Sequence, residues 1–371
     1  MNTEPTFDIF LVTAPGLEQA LCQEAQEKGF AAPTPEVGGV TVQGGWPEVW
    51  RAHLELRGAA RILARIGSFR VMHLAQLDKR ARKFPWADVL RKDVPVKVEV
   101  TCKASRIYHA GAATQRIETA IRESLGAPIA ADAEVRLKVR IADDLCTISV
   151  DCSGDSLHKR GHKEAIGKAP MRENLAALFL RQCGYTGTEP VVDPMCGSGT
   201  FVIEAAEIAA GLNPGRSRHF AFEQLASFDD TAWQAMRGAQ APVVPTARFY
   251  GSDRDAGAIR MSRANAERAG VSEFTDFQCH SVSDLKRPDG PPGLVIVNPP
   301  YGARIGDRKL LYSVYGALGK TLLAGFRGWR VGMVTSDAAL AKASGLPFVP
   351  PGPPVAHGGL RVTLFQTGPL S

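Results

Sequence analysis

Asn298-Pro299-Pro300-Tyr301 brings together more usable chemistry than any other four consecutive residues of the chain. It follows Gly293-Leu294-Val295-Ile296-Val297, an apolar run that reads as a buried strand, and two successive prolines must end that strand. A short rigid turn then carries an amide oxygen, a carbonyl whose following nitrogen bears no hydrogen, and an aromatic ring. The Asn298 oxygen and the Pro299 carbonyl can accept the two hydrogens of an NH2 group while Tyr301 stacks on the plane that bears it. The plainer alternative is a proline-terminated strand followed by a loop tyrosine.

A second chemical segment, Asp193-Pro194-Met195-Cys196-Gly197-Ser198-Gly199-Thr200, stands between a short strand and a helix. Its glycines allow close approach of backbone to ligand, and a helix start offers free N–H groups. No Gly-Lys-Ser/Thr follows it, and Gly319-Lys320-Thr321 lacks the upstream glycine of a P-loop because position 314 is Val. Val202 stands where a dinucleotide fingerprint needs its third glycine. Asp193 is a poor neighbour for a pyrophosphate and a good one for a cation. After Tyr250-Gly251-Ser252 comes Asp253, an acid at a strand end that can accept hydrogen bonds from both ribose hydroxyls. The two acids and the loop describe a pocket for a nucleoside that carries positive charge, and S-adenosylmethionine fits it.

These segments need a scaffold, and its grammar changes along the chain. Residues 7–12, 39–42 and 64–71 read as strands, with helices over 16–28 and from Trp46, the density of a small α+β unit. A second such block has strands at 94–101, 134–141 and 145–151 and a helix at 112–125. From about residue 166, strands at 190–192, 247–251, 275–279, 294–297 and 329–334 alternate with helices at 171–184, 200–210, 256–269 and 310–323. That is the pattern of a doubly wound parallel sheet, whose ligands sit at the carboxyl ends of the strands. Residues 211–245 interrupt it as a proline-containing insertion.

The chain has 371 residues, enough for two or three domains, with 22% charged and 44% hydrophobic residues. No window approaches the length of a membrane span and the amino terminus lacks a signal-peptide pattern, so the expected location is the cytoplasm and no membrane partner is expected. Seven scattered cysteines form no C-x-x-C pair, and His219, His280 and His357 have no ligand spacing, so neither a disulfide framework nor a metal site is expected. A net charge of +6 suits a polyanionic partner. Two basic runs, Lys79-Arg80-Ala81-Arg82-Lys83 and His158-Lys159-Arg160-Gly161-His162-Lys163, suit phosphate contacts from flexible segments, which makes Lys79, Arg80, Arg82, Lys83, Lys159, Arg160 and Lys163 candidate RNA contacts.

With these residues in view, the chain resembles the class I methyltransferases that modify exocyclic amines. Residues 106–112, Asp151-Cys152-Ser153-Gly154 and Leu157-His158-Lys159-Arg160-Gly161 look like a THUMP RNA-binding module, and residues 169–177 like the segment that joins it to the methyltransferase and lines the cofactor pocket. The whole is similar to the bacterial THUMP-containing guanine-N2 methyltransferases of the RlmL type. The resemblance implies a ferredoxin-like domain at 1–70, THUMP at 71–165 and a Rossmann-like methyltransferase at 166–371. It implies S-adenosylmethionine as cofactor, held by Pro170, Glu173, Asn174, Asp193, Met195, Cys196, Gly197, Gly199, Thr200, Asp253, Arg254, Ser281, Val282 and Asn298. It implies catalysis by Asn298, Pro299 and Tyr301 on RNA, with 23S rRNA favoured and tRNA a rival. Relatives often carry an acid where this chain has Ser281, while Asp284 reads as a turn or helix cap. An adenine-N6 methyltransferase uses the same clamp, and a non-enzymatic RNA-binding protein with a decayed methyltransferase domain is the remaining alternative.

Overall fold

A computed structural model describes residues 6–164, 171–301 and 308–371. In chain order its elements are β1 (Phe7–Val12), α1 (Glu18–Glu27), β2 (Ala31–Glu36), β3 (Gly39–Gly44), α2 (Trp46–Glu55), β4 (Arg61–Arg70), α3 (Leu74–Arg82), β5 (Val96–Lys103), α4 (Ala110–Ser124), β6 (Val135–Ala142) and β7 (Leu145–Asp151). Then follow α5 (Glu173–Gln182), β8 (Val191–Asp193), α6 (Thr200–Ala209), α7 (Asp230–Gly238), β9 (Phe249–Asp253), α8 (Ala256–Ala269), β10 (Thr275–Cys279), β11 (Leu294–Val297), α9 (Arg308–Gly325), β12 (Arg330–Thr335), α10 (Ala338–Ala343), β13 (Val355–His357) and β14 (Leu360–Gln366). Among the described residues no helix is long and apolar enough to cross a membrane.

The chain forms two compact units, residues 1–13, 22–157 and 218–239 in one and 14–21, 158–217 and 240–371 in the other. In the first, strands run in the order β2-β3-β1-β4-β7-β6-β5 through one seven-stranded sheet. Alternation explains its one-sided burial: in β6, Val135, Leu137, Val139 and Ile141 are buried while the intervening Arg136, Lys138 and Arg140 are not. The antiparallel pairing of β4 with β7 carries the sheet from the first α+β block into the second without a break. The Arg218–Ala239 stretch, expected as part of an insertion in the methyltransferase region, belongs to this unit. Phe222 stacks on Phe220 at 5.2 Å, meets the Trp233 ring edge-on at 5.1 Å and lies 6.3 Å from Trp50 of α2, so aromatic burial anchors it.

The second unit is the expected doubly wound sheet, in the order β10-β9-β8-β11-β12-β14-β13. Strands β8 to β12 are parallel, and β11, Leu-Val-Ile-Val, is buried at every residue, as a central strand covered on both faces must be. The chain runs outward from β8 to β9 and β10, then returns to β11 on the other side of β8. The crevice at that reversal lies between the carboxyl ends of β8 and β11, where a ligand is expected. Strand β14, antiparallel to β12, and β13 at the edge were absent from the expected set.

Candidate active site

Asp193 is the last residue of β8 and is 2% exposed. Its Oδ1 accepts the Met195 N–H at 3.1 Å, and burial pushes its carboxyl up to about 8, against the lowering effect of that bond. The chain then turns through Gly197 (φ +54°) and Gly199 (φ +85°), a left-handed cap for α6. A Cβ on Gly197 would meet nothing within 4 Å, whereas one on Gly199 would come within 3.1 Å of Ser262. Ser262 Oγ donates to the Gly197 carbonyl at 2.9 Å and Asn265 Nδ2 to the Ser198 carbonyl at 3.0 Å, so α8 grips the loop from behind. Cys196 is turned inward, with its N–H on the Ser252 carbonyl and burial raising its thiol well above the ordinary range, and it serves packing rather than nucleophilic chemistry.

Asp253 ends β9 beside this loop. Its Oδ2 accepts the Gly197 N–H at 3.1 Å and its Oδ1 the Asp255 N–H at 3.0 Å, which orients the carboxylate and leaves each oxygen further acceptor capacity. Arg254 is exposed and Val282 is partly buried against the core under β11 and β12. Ser281 donates its hydroxyl to Asp284 Oδ2 at 2.8 Å. The acid read from sequence as a mere cap is therefore paired with the serine that stands in for the expected acid.

Glu173 and Asn174 open α5, both buried. Glu173 lies 3.2 Å from Lys163 Nζ, and burial raises its carboxyl although that ammonium opposes the shift. Asn174 Oδ1 is buried and has no hydrogen-bond partner among the described residues. Pro170 lies outside those residues. Thr200 Oγ1 accepts from Lys163 at 2.8 Å and donates to the Met171 carbonyl at 3.4 Å. Two of the expected RNA contacts thus turn inward. Arg160 is 2% exposed and bonds Glu204 at 3.0 Å, and Lys163 is spent on Thr200, Glu173 and the Met171 carbonyl. A buried guanidinium already matched by a buried carboxylate cannot reach a phosphate. Lys159 is exposed, as are Lys79, Arg80, Arg82 and Lys83. Lys79, Arg80 and Arg82 sit on the ordered helix α3 with Lys83 as its cap, rather than on a flexible segment, and Arg82 is tied to Asp78 at 2.8 Å.

Asn298 follows β11 directly. Parallel pairing of Val295 with Val192 and of Leu294 with Val191 brings it to the same edge as Asp193 on the adjacent strand. Its Oδ1 is buried and has no hydrogen-bond partner among the described residues, the state of an acceptor kept for a ligand. Tyr301 is partly buried, which raises its phenol. The acceptors suit S-adenosylmethionine: a buried acid for a cationic group, an oriented acid for ribose hydroxyls and the Asn174 oxygen that has no partner among the described residues.

A family model for the RMKL-like methyltransferase domain matches residues 160–347, just over half of the chain. The chain belongs to this methyltransferase family. A model for the RlmL ferredoxin-like domain matches residues 8–63, the span from β1 into β4. Among solved structures, the chain is similar to a Listeria monocytogenes protein described as an N6-adenine-specific DNA methylase, with 27% identity, 98% of this chain and 97% of that one covered, and a TM-score of 0.85. It is similar to a methyltransferase solved with S-adenosylhomocysteine (SAH), with 26% identity, complete coverage of both chains and a TM-score of 0.87. TrmN from Thermus thermophilus shares the fold at 20% identity, with 99% and 100% covered and a TM-score of 0.75.

Proposed function

We propose that this methyltransferase forms N2-methylguanosine in RNA, with 23S rRNA favoured over tRNA and S-adenosylmethionine as donor. The observation that carries the reading is the buried Asn298 Oδ1, without a partner among the described residues, at the edge shared with the Asp193 loop. When bound, S-adenosylmethionine supplies an electrophilic methyl group. Asp193, Asp253 and Asn174 hold it. Asn298 Oδ1 and the Pro299 carbonyl take the two amino hydrogens of an unstacked guanine lying against Tyr301. Because the N2 lone pair is delocalised into the ring, these bonds favour a more tetrahedral nitrogen and aim that lone pair. Its proton can leave after attack, so no strong base is required.

The domain reading belongs to the same proposal: a ferredoxin-like domain at 1–70, an RNA-binding THUMP domain at 71–165 and the methyltransferase at 166–371, working in the cytoplasm. Lys79, Arg80, Lys83 and Lys159 keep their proposed roles as phosphate contacts. The adenine-N6 alternative rests on the same clamp, and the Listeria relative is described as an N6-adenine-specific DNA methylase. Mass-spectrometric mapping of methylated nucleosides in rRNA, tRNA and DNA from cells with and without the protein separates them. Loss of an N2-methylguanosine from rRNA is the expected result, and loss of an N6-methyladenosine would replace it.

A further inference from the structure

The amino clamp by itself does not distinguish guanine from adenine, since both present an exocyclic NH2. The neighbouring ring position does distinguish them: guanine N1 carries a hydrogen, whereas adenine N1 is an acceptor. A carboxylate beside the clamp would therefore favour guanine and repel adenine. One acid follows the carboxyl end of the adjacent strand β12. In the parallel pairing of β11 with β12, Val297 is registered with Met333, so Tyr301 and Asp337 each lie four residues beyond the last registered pair. Both also lie within electrostatic reach of the buried Tyr315 hydroxyl. That hydroxyl donates to Thr335 Oγ1 at 3.0 Å, which in turn accepts the Asp337 N–H at 3.2 Å, so Asp337 is held by a buried network.

The two oxygens of Asp337 differ. Oδ1 accepts the Ala339 and Leu340 N–H groups at 2.9 and 3.2 Å and caps α10. Among the described residues Oδ2 faces only the Arg308 guanidinium, at 3.9 Å, beyond hydrogen-bond length. The side chain is 31% exposed. We propose that Asp337 is the residue that selects guanine, its Oδ2 accepting the N1–H while Asn298 and Pro299 take the N2 hydrogens. Three acceptors then meet three donors on one edge of the base. This inference rests on the guanine reading of the site.

Asp337→Asn is the informative variant, because asparagine caps a helix as well as aspartate does, and with its oxygen kept at the cap the charged acceptor at Oδ2 becomes an NH2 donor. Transfer would be measured on the RNA fragment carrying the mapped nucleotide, with the target as guanine and as 2-aminopurine, which keeps the 2-amino group but has no N1 hydrogen. The wild-type protein is expected to prefer guanine by roughly 10- to 100-fold in kcat/KM, the worth of one charge-assisted hydrogen bond. Asp337→Asn is expected to lower kcat/KM on guanine by a similar factor, to bring the two substrates within a few-fold of each other, and to leave SAH affinity by calorimetry unchanged. An unchanged guanine to 2-aminopurine ratio in the variant would overturn the assignment while leaving guanine methylation standing. A wild-type product of N6-methyladenosine would overturn both.

Discussion

At the scale of single residues, the site is a set of acceptors held out of water before any ligand arrives. Asn298 Oδ1 and Asn174 Oδ1 are buried without partners among the described residues, and a buried acceptor in that state costs stability that a ligand can recover. Asn298→Ala should reduce methyl transfer at least about a hundredfold while SAH binds nearly as before. Near-normal turnover in single-turnover assays would sink the clamp. Asp193, with its carboxyl at about 8, is largely neutral at pH 7 in the free protein. A cationic ligand favours its ionised form, so binding below about pH 8 should release a proton. Affinity for S-adenosylmethionine should rise from pH 6 to 8 and level off above, with a proton release that titration calorimetry in buffers of different ionisation enthalpy detects. Asp193→Asn should abolish that release. The same raised value makes the folded protein lose stability as pH climbs from about 4 to about 8, because the unfolded carboxyl ionises first. The placement of Asn298, Asp193 and Asp253 at strand ends was legible in the sequence because strand ends and turn residues announce themselves. The Ser281–Asp284 pair and the inward turn of Arg160 and Lys163 were not, since a charge run reads the same whether its side chains face water or a buried carboxylate.

At the scale of elements, glycines set how closely the parts approach. Gly199 holds φ +85° at the start of α6 with Ser262 close behind it. Gly199→Ala should destabilise the fold by about 1–2 kcal/mol, the cost of a left-handed alanine, and weaken SAH binding further by shifting the loop. Gly319 in α9 is tighter still, since an added Cβ would fall 1.6 Å from the Ser344 carbonyl beyond α10. Gly319→Ala should lower the thermal midpoint by several degrees with little change in SAH affinity of the folded fraction, measurable by calorimetry. Strands such as β11 and β10 matched their expected bounds because continuous apolar or bounded runs have few other readings. Strand β2, Ala-Ala-Pro-Thr-Pro-Glu, did not, because an exposed edge strand with two prolines has the composition of a loop. Helix α3 was hidden because Lys79, Arg80 and Arg82 dominate its outer face, while only Leu77 and Ala81 are buried.

At the scale of the whole molecule, the two amino-terminal blocks are one sheet, joined where β4 pairs with β7. A fragment of residues 1–70 would expose all of β4 as an unpaired edge and should lack a cooperative unfolding transition, whereas the full chain should show one. Retention of a sharp transition in the fragment would count against that dependence. The Rossmann-like sheet was legible because its alternating strands and helices recur in order. The membership of residues 218–239 in the first unit was not, because sequence adjacency placed them inside the second.

That membership bears on synthesis. A ribosome releases the chain from its amino end, and the first unit lacks Phe220, Phe222 and Trp233 until residue 239 has emerged. By then β8 and α6 are already outside, without β9 and β11 on either side of them. The order of birth therefore obliges the nascent methyltransferase sheet to wait, half made, while the unit that begins the chain is completed from a segment encoded well downstream.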